Sequence, residues 1–164
     1  MRQYAAAYKR VISDGEPVAV VLISVINHDH IRQAFGDTTA EQCLLRAVIK
    51  LQRVLRDVDP AGRVDTHRFA LLLEGVADKD ALNQRMVQLI ASGLIPIPGL
   101  EPEVNLQFQA ACVLLHHNPV TPERVFDELG SLLQDMSPRT RRPIRFLEAP
   151  PTHPVVPSLN PDTL

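Results

Sequence analysis

The stretch from Val18 to Ile26 is apolar at every position except Ser24 and is crowded with β-branched side chains. Apolar and polar residues do not alternate along it, so neither face of a strand built from it is suited to water. That pattern predicts a strand buried on both faces and therefore central in its sheet. The run is too short to span a bilayer. With no membrane segment or signal peptide in view, the expected setting is cytoplasmic and reducing. A strand of this kind requires cover on both sides, and the rest of the chain has to supply it.

Taken in order, the chain does so. Arg2–Ile12 spaces its apolar residues as a helix, and residues 13–17 read as a turn. Asn27–Asp37 is irregular or a short helix. Thr38 and Thr39 are placed to cap the next helix, with Glu41 and Gln42 as capping-box partners. Leu44, Val48, Leu51 and Leu55 recur along one face of a helix over Thr39–Leu55. Pro60 and Gly62 then turn the chain into strands at Arg63–Thr66 and Phe69–Leu73, a hairpin with its tip at Thr66-His67-Arg68.

Asp78 caps a helix ended by Gly93, and the proline-interrupted stretch Ile95–Pro102 is a loop or a short edge element. Val104–Leu115 reads as a long strand. Thr121-Pro122-Glu123 opens a helix with a cap, a first-position proline and a first-turn acid, and Ile144–Leu147 is a last strand. The fold class is an α/β sandwich, a central mixed sheet flanked by helices. From Glu148 onward five prolines and no periodic pattern read as a tail or linker. Residues 1–147 therefore form the domain and residues 148–164 the tail.

Composition narrows the function. Apolar residues make up 45% of the chain, enough for a core. The net charge of -2 argues against a partner with many phosphates to neutralise, so no nucleic acid is expected. Cys43 and Cys112 each lie in an apolar run and read as buried reduced thiols. Asn27-His28-Asp29-His30 has metal-binding side chains, but adjacent residues rarely converge on one ion, and a polar loop is the plainer reading. Ser24 has no His–acid pair to make it a nucleophile. Arg139, Arg141, Arg142 and Arg145 form a basic patch, by default a solvated surface.

These elements resemble the GGDEF family, the diguanylate cyclase domain that joins two GTP molecules into cyclic di-GMP in bacteria. Phe35-Gly36-Asp37-Thr38-Thr39-Ala40-Glu41-Gln42-Cys43-Leu44 is similar in spacing to the family's Tyr-Gly-His-x-x-Gly-Asp-x-x-Leu. Arg63-Val64 and Phe69-Ala70-Leu71-Leu72-Leu73 frame the signature hairpin at 63–73, and Thr121-Pro122-Glu123 is similar to the start of the family's last helix. The resemblance covers roughly residues 17–146. It implies the GGDEF/nucleotidyl-cyclase-like sandwich as the fold.

It also implies that the catalytic part is degenerate. The five signature positions fall on Asp65, Thr66, His67, Arg68 and Phe69. The family's two glycines let backbone approach a triphosphate, whereas Asp65 and Thr66 add bulk and a negative charge. The acidic pair that binds metal becomes His67 and Arg68, and a guanidinium is neither a magnesium ligand nor a base. The strand-end metal aspartate aligns with Ser24 and its acidic neighbour with Ile26. The guanine-reading Asn aligns with Arg32 and its partner Asp with Glu41. The phosphate-binding Lys falls near Met136. The expectation is no cyclase activity, no catalytic residue, and no metal or cofactor.

One family element survives in spacing. Arg56-Asp57-Val58-Asp59 is an Arg-x-x-Asp with five residues between it and the first signature position, the spacing of the family's product-binding inhibitory site. Guanidinium donors suit guanine O6 and N7, and a carboxylate accepts from the base N–H groups. The plainer alternative is a solvated helix end. The third-helix arginine of that site aligns with Val87, and Arg85 stands nearby. Two readings stay open: a regulatory domain binding cyclic di-GMP through Arg56, Asp59 and Arg85, or a nucleotide-independent scaffold that dimerises or docks other signalling domains.

Overall fold

In the computed structural model the described residues are 18–54, 58–115 and 122–147. The expected N-terminal helix, the turn at 13–17, Arg56, Thr121 and the tail from 148 lie outside them. β1, Val18–Val25, is buried at every position. It lies in the middle of a sheet ordered β2-β3-β1-β4-β5, with β2 at Val58–Asp65, β3 at Arg68–Glu74, β4 at Phe108–Leu115 and β5 at Ile144–Phe146. β1 runs antiparallel to both β3 and β4, and β5 runs parallel to β4, so the sheet is mixed.

The two-sided burial of β1 is divided by the strand's period of two. Ala19, Val21, Ile23 and Val25 face a core built with α1 (His28–Phe35), α2 (Asp37–Val54) and α3 (Lys79–Gly93). Val18, Val20 and Leu22 face the opposite layer, closed by Val125, Leu129 and Leu133 of α4 (Pro122–Gln134). Each fully buried aliphatic side chain contributes about 1.5–3 kcal/mol, so the strand stabilises both layers as well as forming the axis of the fold. Cys43 and Cys112 are both buried and unpaired, and burial pushes the Cys112 thiol well above its usual range.

Three boundaries differ from the sequence expectation. α2 starts at Asp37, so Thr38 and Thr39 lie in its first turn rather than capping it. Gly36, at φ 91°, makes the corner from α1, and its carbonyl accepts from Ala40 N at 3.1 Å. β2 begins at Val58, with Pro60 and Gly62 inside the strand beside register shifts; an edge strand tolerates such residues because one row of its backbone groups is unpaired. β4 begins at Phe108 rather than Val104, because Leu106 N donates to Gly93 O at 2.8 Å and Val104 O accepts from Ile97 N at 2.7 Å. That backbone is bound to the end of α3 and its loop, not to the sheet.

Gly93 does end α3, but not through a left-handed conformation. A Cβ there would lie 2.4 Å from Leu106 O and 2.7 Å from the Phe108 ring, so glycine is required for close packing. Asp78 caps α3 as expected, its side chain accepting from Ala81 N at 2.9 Å.

Candidate functional site

At the C-terminal end of β1 the cross-strand neighbours change character. Ile23 pairs with Phe69 and Ala110, all buried and apolar; the next residue, Ser24, lies between Arg68 of β3 and Gln109 of β4. This polar row closes the apolar sheet. Gln109 is satisfied by donating Nε2 to Ser137 O at 2.8 Å. Arg68 has its Nε buried without a hydrogen bond, its nearest carboxylate being Asp65 Oδ2 at 3.8 Å.

Beside this row the β2–β3 hairpin turns at Thr66-His67. Asp65 Oδ1 accepts from His67 N at 3.2 Å, which folds the carboxylate back over the turn. The His67 carbonyl accepts from Val25 N at 2.9 Å and ties the tip to β1. The His67 ring lies nearly parallel to the buried ring of His28, 10° apart in tilt with centroids 6.2 Å apart. Phe69, the last signature position, is a core residue.

A second contact anchors the hairpin to α2. Arg63 grips Glu41 with both guanidinium arms, at 2.6 and 3.1 Å, and its Nη2 also donates to Thr66 O at 2.8 Å. The hydrogen bonds from Arg63 hold the Glu41 carboxyl below its usual pKa. The guanidinium of Arg63 is correspondingly raised. Sequence reading identified Glu41 but missed its partner, because the two are separated by 22 positions and no local pattern links them. The His28–His67 pair was missed for the same reason.

The remaining expected positions are dispersed. Ile26 is half-buried and donates its N–H to Gln107 O at 2.9 Å. Arg32 lies on α1 within 3.7 Å of Asp29 and 4.0 Å of Asp37. Met136 is buried in the α4-side core. Asn27, the head of the suspected metal cluster, bonds instead to Asn105 O at 2.7 Å and Gln107 N at 3.0 Å. Among the described residues no group of three or more His, Cys, Asp or Glu is arranged to hold a metal ion. Of the Arg-x-x-Asp residues, Arg56 lies outside the described residues and Asp59 is placed by its backbone in edge strand β2, opposite Leu72. Arg85 is half-buried on α3 and Val87 exposed. No described helix is long and apolar enough to cross a membrane.

The fold has close counterparts among solved structures. The GGDEF domain of YfiN (TpbB) from Pseudomonas aeruginosa superposes with a TM-score of 0.76 at 19% identity, over 90% of this chain and 95% of that one. The active GGEEF domain of a diguanylate cyclase from Vibrio cholerae gives 0.73 at 20% identity, over 86% and 89%. The GGDEF domain of DgcB from Caulobacter crescentus, solved with cyclic di-GMP, gives 0.73 at 11% identity, over 88% and 86%. No curated protein matches the chain. The family model described as "Diguanylate cyclase, GGDEF domain" matches residues 2–142, and with the fold in agreement the chain belongs to the GGDEF family of cyclic di-GMP signalling.

Proposed function

We propose that this GGDEF domain does not join GTP into cyclic di-GMP and works as a regulatory module, with cyclic di-GMP as its ligand at Arg56 and Asp59. The observation that carries the first half is the pairing of Ser24 with Arg68. These are two of the positions to which the resemblance assigns metal carboxylates, and they face each other as a hydroxyl and a guanidinium. Magnesium prefers hard oxygen ligands, chiefly carboxylates and water. Ser24, His67, Arg68 and Gln109 present no carboxylate and do not fit it. The Glu41 carboxylate, the remaining guanine-reading acid, is already held by Arg63.

The second half rests on the spacing of Arg56-Asp57-Val58-Asp59 and on the position of Asp59 near the start of an edge strand, at the margin of the sheet. DgcB is a GGDEF domain seen with cyclic di-GMP, so the fold accommodates that ligand in a relative. In this reading residues 1–147 are the functional unit, cytoplasmic, and residues 148–164 connect it to a partner. Calorimetric titration of the full chain with cyclic di-GMP tests it. Saturable binding lost in Arg56→Ala supports a receptor, and the absence of heat at high ligand concentration removes that role.

A scaffold role is the second reading. The specific observation favouring it is apolar exposure on the outer helices: Leu45 and Ile49 on α2, Val87 on α3, and Leu94 and Ile95 just beyond it. Exposed apolar side chains of this size, on α2, on α3 and just beyond α3, are available for a protein contact. A dimer that dissolves in Leu94→Asp, with no response to cyclic di-GMP, is the result that selects the scaffold.

A further inference from the structure

We infer that the groove between α4 and the β1–β3 corner is a binding site for a small monocarboxylate with an apolar body, held by Arg68. The groove has a volume of about 400 Å³, within the range of small-molecule sites, about 300–1,000 Å³. It lies on the α4 side of the sheet, the face opposite the α1–α3 layer, and the inference does not rest on the cyclic di-GMP reading. Leu22, Val64 and Phe126 provide its apolar walls, and Arg68 and Asp127 its charges.

Arg68 is the reason to expect an anion. Its side chain is 21% exposed and its only ionic neighbour among the described residues is Asp65, at 3.8 Å, beyond hydrogen-bond length. The buried Nε has no acceptor, and an unpaired buried donor of a charged group is costly until an acceptor arrives. Opposite the guanidinium, α4 carries Gly130, where an added Cβ would be in ordinary van der Waals contact with Arg68 Nη1, at 3.7 Å. The glycine lets the guanidinium lie close against α4 at the groove wall.

The charge balance selects the class of anion. A guanidinium fork matches a planar carboxylate through two parallel hydrogen bonds. Asp127 on the groove wall and Asp65 behind the guanidinium oppose a second negative charge, so a phosphate dianion is disfavoured relative to a carboxylate. Leu22, Val64 and Phe126 then accept an aryl or branched-alkyl body.

Benzoate is the probe, followed by amide NMR spectra of the full chain, with benzamide and inorganic phosphate as comparisons. The expected result is a saturable benzoate shift at Leu22, Val64, Arg68 and Gly130, weakened about tenfold or more in Arg68→Gln. Gly130→Leu, which fills the groove, should abolish it. If Gly130→Leu fails to fold, Arg68→Gln alone decides. No saturable shift, equal affinity in Arg68→Gln, equal binding of benzamide, or tighter binding of phosphate than of benzoate each overturns the assignment.

Discussion

The middle of β1 and its C-terminal end lie one residue apart and are built on opposite chemistry. From Val18 to Ile23 every cross-strand partner but Glu74 at the far end is Ala, Leu, Val, Cys or Phe. At Ser24 the partners become arginine and glutamine, and the neighbouring turn carries two carboxyl-to-backbone or carboxyl-to-guanidinium contacts, Asp65 with His67 and Glu41 with Arg63. The apolar interior requires only volume and period, demands that many sequences meet. At the strand end a few substitutions change which polar side chains are presented without changing the sheet. The sheet and the polar row at its end are set by different residues, and the change of partners falls between Ile23 and Ser24.

Substitutions on the two sides of that boundary should behave differently. Ile23→Ala, at a fully buried position, should destabilise the domain by about 2–5 kcal/mol in chemical denaturation, whereas Ser24→Ala should leave the midpoint nearly unchanged. Equal losses would break the comparison. Two glycines sharpen it further. Gly93→Ala drives a Cβ into Leu106 O and the Phe108 ring and should cost about 1–3 kcal/mol despite alanine's better helix propensity. Gly130→Ala meets only ordinary contact and should stabilise α4 by about 0.5–1 kcal/mol. The same substitution with opposite signs is the signature of close core packing at one glycine and ordinary contact at the other.

The smallest effect belongs to the exposed Arg63–Glu41 pair, where solvent screens the charges. Its stabilisation is fully present above the ordinary carboxylate pKa of the unfolded chain. It is lost as pH falls through the lowered value of the folded state. A carboxyl carbon NMR titration should find Glu41 below the ordinary range and restored to it in Arg63→Ala. Faster amide exchange at Thr66 and Arg68 in that variant would show that the pair also orders the hairpin tip. An unshifted Glu41 in the unaltered protein would contradict the anchoring role.

Much of the architecture was readable from local pattern, because a continuous β-branched run, a capped helix and two flanking apolar strands are signals carried by neighbouring residues. The start of β2 was not, since Pro60 and Gly62 have turn propensity and only their place on a sheet edge permits a strand. The beginning of β4 was overextended because Leu106 continues the alternation while its N–H belongs to Gly93. At the candidate site, spacing placed the hairpin tip, as the fold has it, but not the pairing of Glu41 with Arg63, nor of His28 with His67. Those contacts join elements far apart in sequence, so only the folded chain brings them together.

The proposed catalytic silence of this GGDEF domain is tested most directly by incubating the purified chain with GTP and magnesium and separating the products chromatographically. No cyclic di-GMP above a protein-free blank is expected at any magnesium concentration; formation of cyclic di-GMP that requires both the protein and the metal would overturn the proposal.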